Sequence, residues 1–531
     1  MKALLIRPPQ MSPNMEFPAG PRSGLPLGLL YIASVLEKEG IEVEIFDALV
    51  EFDLDYLDLN QKWVHFGSSW EEIKKRIRKS EAEIIGINNP FSTQLKPALK
   101  VAALAKEALP ESLVVVGGPH ASVAPETFLY DSKEIDMVVG GEGEYTMPRI
   151  ISWIKGQEDV SNIAGVAYRK NGKIKVNPPA PHIQDLDNLP LPAYHLLNME
   201  RYFELERLGY SPRVTFSYPG SERAVSVITS RGCPFNCTFC SIHPHMGNRW
   251  RFHSAEYVLD HLRYLVSEYG VKHIHFEDDN LTLNKKRFET LLDGLLEENI
   301  NITWDTPNGV RADTFDQTLL EKCKASGCTY LVVGVESGDQ FTLNSIIKKK
   351  LDLKTVGRVA QDCKTVGIDL HAFFIIGFPG EKKKNLKATL EYALDLKKKF
   401  NVFPHLNLAY PQIGTELFKI CEEKGYLTAP LNPKTYSNWR GDKLERLMIE
   451  TEDFKVKDLY ELSNSFHRTL ARISFLHSVG FLVRNPKVFL FILATFFRKF
   501  RKHPFKIKSV LKNIYSRYLI FENYLKRRVY S

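Results

Sequence analysis

The sequence predicts an α/β protein: two strand–helix units joined by a bridge and followed by a helical, basic C-terminal region. Three observations carry this reading. Short apolar strands in residues 1–150 each end in a glycine- or asparagine-rich turn, the pattern of a doubly wound, Rossmann-like parallel sheet. Residues 221–410 alternate strand and helix at the spacing of a β/α barrel. After residue 410 that alternation stops. The length of 531 residues exceeds one ordinary core, and 44% hydrophobic with 25% charged residues marks a globular chain.

In the first unit, residues 2–6 form a strand, 27–39 an amphipathic helix, and 43–46 a second strand ending at Asp47. A strand at 84–88 and a helix at 96–107 follow. Residues 113–116 then run into Gly117-Gly118-Pro119-His120, and 137–139 into Gly140-Gly141-Glu142-Gly143-Glu144. Ligands of such sheets collect outside the C-terminal strand ends. No G-x-G-x-x-G follows the first strand, which disfavours a nicotinamide or flavin dinucleotide.

Residues 151–220 read as a bridge. Segments 166–169 and 172–176 flank Lys170-Asn171-Gly172 as a small hairpin, and the proline-rich run 178–193 has few backbone donors. It reads as an ordered strap able to lie across both units.

In residues 221–410, strands are expected at 225–229, 272–277, 302–307, 330–334, 371–376 and 404–410. Helices are expected at 254–269, 284–298, 315–325, 352–366 and 383–398. The first strand delivers Cys233-x3-Cys237-x2-Cys240. Three thiolates on one short loop can hold three irons of a cubane cluster and leave the fourth iron open. An electron-transfer cluster would take four protein ligands, so the open iron points to chemistry at the cluster. On spacing alone a structural zinc stands beside this reading, with His243 or His245 as fourth ligand. Cys323, Cys328, Cys363 and Cys421 are scattered, a reducing-compartment pattern in which buried thiols are expected.

Later strand ends carry polar groups. Glu277-Asp278-Asp279-Asn280 can neutralise a fixed cation, with Asp278 the first choice and Asp279 the second, or it can cap the next helix. Gly334-Val335-Glu336-Ser337-Gly338 combines room for close approach with two hydrogen-bonding side chains. Arg311 can hold a carboxylate, or pair with Asp313 or Glu336.

With these motifs in this order, the cysteine loop resembles that of the radical S-adenosylmethionine (SAM) enzymes. The acidic turn, Glu336-Ser337-Gly338 and Gly377-Phe378-Pro379-Gly380 extend the likeness through about residue 410. The first unit resembles the cobalamin-binding domain that precedes the barrel in one large branch, on Pro26-Leu27-Gly28-Leu29-x-Tyr31-x-Ala33, Gly117-Gly118-Pro119-His120 and Gly141-Glu142-Gly143-Glu144.

The resemblance implies a partial six-unit barrel and a [4Fe–4S] cluster on Cys233, Cys237 and Cys240. The open iron would chelate SAM, which an electron from an external low-potential donor cleaves to a 5′-deoxyadenosyl radical. SAM contacts are expected from Phe239, Asp278, Asp279, Arg311, Glu336, Ser337 and Gly377, although Phe239 could equally be loop packing. Cobalamin contacts are expected from Pro9, Gly28, Tyr31, Asn88, Gly117, Gly118, His120, Gly141, Glu142 and Gly143. One departure stands out: the D-x-H-x-x-G motif that supplies a cobalt-ligating histidine in classical cobalamin domains is absent. His120 could approach the corrin or simply form a surface turn, and the domain could have lost its corrinoid while keeping its fold.

The implied reaction is methylation of an unactivated carbon. Cyclisation, carbon–carbon coupling or rearrangement without net methylation is the alternative, and an iron–sulfur redox or scaffold protein is the non-enzyme alternative. Residues 498–531 carry eleven Lys or Arg and one Glu, a net +10; taken from the whole-chain +8, that leaves −2 for the rest. The basic character therefore belongs to the tail, and no broad nucleic-acid-binding surface is expected. An apolar-rich run of ten residues, 488–497, precedes it, too short to cross a bilayer, where about 20 are needed. An apolar stretch beside a cationic cluster describes contact with a membrane surface, or else a docking helix with a solvated tail. No secretory signal opens the chain, so the expected location is cytoplasmic, peripheral on the membrane, with a lipid or isoprenoid-like substrate.

Overall fold

A computed structural model of the protein describes residues 1–13, 24–51, 57–60, 63–207, 223–430 and 447–484. The predicted basic tail and the apolar run before it lie outside these residues.

The N-terminal sheet consists of β1 (Lys2–Arg7), β2 (Glu42–Asp47), β3 (Ile84–Asn88), β4 (Leu113–Gly117), β5 (Met137–Val139), β6 (Val166–Lys170) and β7 (Lys173–Val176). Their order is β7-β6-β5-β4-β3-β1-β2, parallel from β2 to β5. Strand order reverses beside β1, which places a crevice between the ends of β1 and β3, where doubly wound sheets take their ligands. The bridge hairpin β6–β7 adds to this sheet antiparallel, beside β5.

The second sheet contains β8 (Ala224–Val227), β9 (His273–Phe276), β10 (Thr303–Val310), β11 (Cys328–Glu336), β12 (Asp369–Ile376) and β13 (Phe403–Leu408), all parallel and in sequence order. It is the expected partial barrel. Helices Ala255–Tyr269 and Leu353–Val366 begin at Ser254 and Asp352, whose side chains accept from backbone N–H groups. Both end at left-handed glycines, Gly270 and Gly367.

Polar groups fill part of the barrel interior near the strand starts. Asp305 accepts from His273 (2.9 Å) and His275 (2.8 Å), all three buried. Burial alone would raise the Asp305 carboxyl, but the two imidazoles outweigh it and hold it well below the usual carboxylate range.

The two units share one continuous apolar core, running from Leu30 and Ile150 through Tyr194 and Phe203 to Leu262 and Val227. The proline-rich strap touches both. Ala193 N–H bonds Leu30 O in the first unit (3.1 Å), and the Tyr194 hydroxyl meets His261 of the barrel (2.9 Å). Helix Val456–Arg484 packs against helix Lys383–Phe400. Among the described residues no helix is long and apolar enough to cross a membrane.

Candidate functional site

Beyond β8, Ser230–Arg231 pairs antiparallel with Arg251–Phe252 and leads into the cysteine loop. A Cβ on Gly232 (φ +79°) would lie 2.6 Å from Arg249 O, so the entry turn requires glycine. The loop is held at several points: Thr238 N–H bonds Ile347 O (3.0 Å), Leu417 N–H bonds Thr238 O (2.8 Å), and Cys240 N–H bonds Cys237 O (3.0 Å). His243, a candidate zinc ligand, bonds the Cys233 carbonyl through Nε2 (2.8 Å).

Cys233, Cys237 and Cys240 are free thiols, each partly exposed. Among the described residues, the one set of three metal-binding groups whose ligand atoms lie within 4.8 Å of one another is His273, His275 and Asp305. Burial pushes all three thiols up, Cys240 to about 12, so positive metal charge is what would keep them as thiolates.

The two acidic candidates separate. Asp278 is buried and accepts from Thr229 Oγ1 (2.8 Å), Thr229 N (3.2 Å) and Ser230 Oγ (2.5 Å), so it braces the end of β8. The sequence placed it first for a ligand, and these bonds turn it inward instead. Asp279 accepts one bond, from Gly232 N–H (3.1 Å), and lies near Cys233 and Cys240. Burial raises its carboxyl to about 6.

At the end of β11, Glu336 stands at φ +71° and its carboxylate meets Lys349 Nζ at 2.9 Å. A Cβ on Gly334 would lie 2.5 Å from Glu336 Oε1 and 2.9 Å from Lys349 Nζ, so this glycine makes room for the pair. Arg311 takes one of the pairings the sequence offered, with Asp313. It donates to Asp313 (3.0 and 2.6 Å) and to the Lys349 and Lys350 carbonyls (2.9 and 3.1 Å), with its guanidinium 3.8 Å above the Phe235 ring. It braces the segment that carries Lys349, a second cation near the cysteine loop. Nothing in the run Lys348-Lys349-Lys350 singles this residue out in the sequence. Ser337 is also buried, bonded to Thr389 Oγ1 (2.9 Å).

At the end of β12, Phe239 packs on Phe378 with ring centroids 5.8 Å apart. Gly377 has φ +99°, and the space its Cβ would fill is taken by Leu459 of the C-terminal helix, 2.7 Å away. The Gly377 N–H and Phe378 N–H both donate to the buried Glu381 carboxyl (2.7 and 2.8 Å). The sequence reading assigned Glu381 no role.

At the crevice of the N-terminal sheet, Pro9 follows β1, where Arg7 pairs with Asp47 (2.8 Å). Asn88 pairs in register with Gly117. Gly118 (φ +123°) is required by Asn89, whose carbonyl would lie 2.4 Å from a Cβ there. Neither amide atom of Asn89 has a hydrogen-bond partner, although the residue is fully buried. Such a group at a crevice fits a polar ligand. A Cβ on Gly28 would meet open space. His120 is buried, with Nδ1 bonded to Ser92 (2.9 Å) and burial lowering it to about 4. It is therefore neutral near pH 7 and not the exposed turn residue the sequence allowed.

Three expected corrin contacts face elsewhere. Tyr31 is buried between the units, stacked toward His253 at 6.3 Å and 5.3 Å beneath the Arg231 guanidinium. Gly143 is packed on Ile32, 2.6 Å from where its Cβ would be. Glu142, after the left-handed Gly141 (φ +81°), directs its carboxylate at Arg231 (2.7 Å) and Arg251 (2.7 Å) of the barrel unit.

Residues 227–393 match the Radical SAM superfamily, and residues 22–151 match the B12 binding domain. The chain is 35% identical over 420 residues to the uncharacterized methyltransferase PH0819 of Pyrococcus horikoshii, spanning 79% of this chain and 83% of that protein. It is 31% identical over 477 residues to the cytidylyl-2-hydroxyethylphosphonate methyltransferase of Streptomyces wedmorensis, spanning 82% and 87%. With the anaerobic magnesium-protoporphyrin IX monomethyl ester cyclase of Rubrivivax gelatinosus it shares 25% over 476 residues, spanning 86% and 77%. Among solved structures, the cobalamin-dependent SAM radical enzyme OxsB, with aqua-cobalamin and SAM bound, shares the fold at TM-score 0.64 and 19% identity over 99% of this chain and 80% of that one. The radical SAM methyltransferase TsrM of Kitasatospora setae, with cobalamin and a [4Fe–4S] cluster bound, does so at 0.61 and 17% over 80% and 78%. The chain thus belongs to the radical SAM enzymes with an N-terminal cobalamin-binding domain, whose cofactors are a [4Fe–4S] cluster, SAM and cobalamin.

Proposed function

We propose that this enzyme is a C-methyltransferase that methylates an unactivated carbon of a lipid or isoprenoid-like substrate. One observation supports joint use of the two cofactors: the turn after β5 touches, through Glu142, the residue two positions before Cys233, which sets the cobalamin-binding unit against the cluster loop. When bound, the cluster and SAM supply a carbon-centred radical that removes hydrogen, and cobalamin supplies a transferable methyl group.

The chain's own residues hold and orient. Cys233, Cys237 and Cys240 would hold three irons. Asp279 would face the methionyl ammonium, and Lys349 with Glu336 would form the charged wall beside Cys237. Asn89 and His120 would line the crevice for the corrin. Hydrogen removal from carbon needs no general base. The two methyltransferase relatives at 35% and 31% identity support this reading over cyclisation.

The experiment is anaerobic turnover with methyl-labelled SAM, a low-potential reductant, and either a total lipid extract or a water-soluble extract. Methyl transfer yields S-adenosylhomocysteine and 5′-deoxyadenosine in equal amounts, with label in the lipid fraction. Formation of 5′-deoxyadenosine without S-adenosylhomocysteine would replace methylation by cyclisation or coupling. Label confined to the water-soluble extract would remove the lipid.

Membrane contact rests on the net +10 of residues 498–531 beside an apolar run. Helix Val456–Arg484 sets the place to cut. Removal of residues 485–531 should move the protein from the membrane to the soluble fraction, and retention on membranes would end this part of the proposal.

A further inference from the structure

We propose that Glu142, Glu144, Arg231 and Arg251 form a buried ionic clasp that sets the register between the cobalamin-binding sheet and the cluster loop, with Glu142 as its positioning residue. Arg231 reaches Glu142 Oε1 through Nη1 (2.7 Å) and Glu144 Oε1 through Nη2 (2.8 Å). Arg251 Nη1 reaches Glu142 Oε1 (2.9 Å) and Oε2 (2.7 Å). All four residues are at most 8% exposed.

The local chemistry explains why the four occur together. Arg231 and Arg251 are directly paired in the short antiparallel ladder before the cysteine loop. Like charges directly opposite one another repel, and repulsion grows where water is excluded. The two carboxylates reaching in from the turn after β5 make the group neutral. Burial works against the charged form of Glu142, but Arg231 and Arg251 overcome it and hold the carboxyl below its ordinary range.

The clasp also takes in the strap. Glu142 Oε2 accepts the Ile183 N–H (2.8 Å), and Arg251 Nη1 donates to the Ile183 carbonyl (2.7 Å). Both Glu142 oxygens are therefore committed to protein donors, which removes this carboxylate from direct contact with a corrin. The neighbouring backbone is fixed too, since Gly143 packs on Ile32 and Gly141 is left-handed. An apolar interface alone permits sliding. Charge-assisted bonds fix direction and distance, and a misplacement of about 1 Å between reacting groups can cost on the order of 100-fold in rate.

The test uses full-length protein reconstituted with iron, sulfide and hydroxocobalamin, comparing wild type with Glu142→Gln, Glu142→Asp and Glu144→Gln. Iron and cobalamin per chain are measured with amide hydrogen exchange at Ile183. For Glu142→Gln we expect wild-type cofactor content and Ile183 exchange faster by about tenfold or more. We also expect 5′-deoxyadenosine per S-adenosylhomocysteine to rise about threefold or more, because the two half-reactions lose their mutual placement. Glu142→Asp and Glu144→Gln should fall between. Loss of cobalamin with unchanged Ile183 exchange would overturn the clasp and return Glu142 to the corrin site. Folded variants with unchanged exchange and product ratio would also overturn it.

If Glu142→Gln does not fold, the other two variants decide, because each leaves a carboxylate at position 142 facing the arginines. The product-ratio arm rests on the methyltransferase reading. Absence of S-adenosylhomocysteine from wild type would defeat that reading alone, and the exchange arm would still judge the clasp.

Discussion

Lys349 Nζ lies 2.9 Å from Glu336 Oε1, and the two side chains form a buried ion pair beside the cysteine loop. The left-handed backbone at Glu336 and the missing side chain at Gly334 both serve this contact. A non-glycine residue at φ +71° costs on the order of 1–3 kcal/mol and persists only where its surroundings require it. Burial lowers the Lys349 ammonium, but Glu336 and then Cys237 reverse the balance and raise it, so it stays charged.

Replacing Lys349 by Met should therefore destabilise the barrel by about 3–5 kcal/mol, since it strands a buried carboxylate. The double variant Lys349→Met with Glu336→Gln should recover much of that loss. Urea midpoints of the four proteins in the cycle measure the coupling, and strict additivity would show that the pair does not interact.

The cysteines divide into two groups. Substituting Ala for Cys233, Cys237 or Cys240 should bring bound iron from about four per chain to near zero after desalting. Ala at Cys323, Cys328, Cys363 or Cys421 should leave iron unchanged, because these thiols are buried elsewhere and burial raises each of them, Cys363 and Cys421 to about 12. Iron analysis on each variant checks the division.

Much of this was legible in the sequence because it is local. Strand and helix periodicity set out both sheets, and the three cysteines share one loop. What could not be read depends on where distant segments meet. Gly377 looked like a cofactor-facing glycine, but Leu459, 82 positions later, occupies the space beside it. Glu142 sits in a turn that resembles a cofactor motif, and only the fold brings Arg231 and Arg251 to it. Asp278 and Asp279 are adjacent in sequence and differ because Thr229 and Ser230 reach the first. The alternating His273 and His275 were a visible signal, since period-two polar residues in a barrel strand share a face, but Asp305 comes from the next strand.

The Gly377–Leu459 contact gives a test of how the C-terminal helix docks. Gly377→Ala should cost about 1–3 kcal/mol through overpacking and the left-handed backbone. Leu459→Ala on the same background should cost less than it does alone, because the small side chain then makes room. Equal costs in both backgrounds, read from thermal unfolding, would mean that the helix moves aside.

Glu381 supplies a pH dependence whose sign can be worked out. Burial raises its carboxyl from 4.5 to about 7, against the opposing pull of the Phe378 and Gly377 N–H groups. The folded state then binds a proton that the unfolded state releases between about pH 4.5 and 7. Its contribution to stability is complete below the unfolded value and is lost as pH rises through about 7. A shift of that size corresponds to about 3 kcal/mol between pH 4.5 and pH 8. Glu381→Gln mimics the protonated form at every pH, so stability should fall less steeply over this range than in wild type, and the variant should be the more stable protein at pH 8. Urea unfolding at pH 5 and pH 8 reads both effects. Parallel pH profiles for the two proteins would mean that the carboxyl is ionised in the fold, with the two backbone donors outweighing burial.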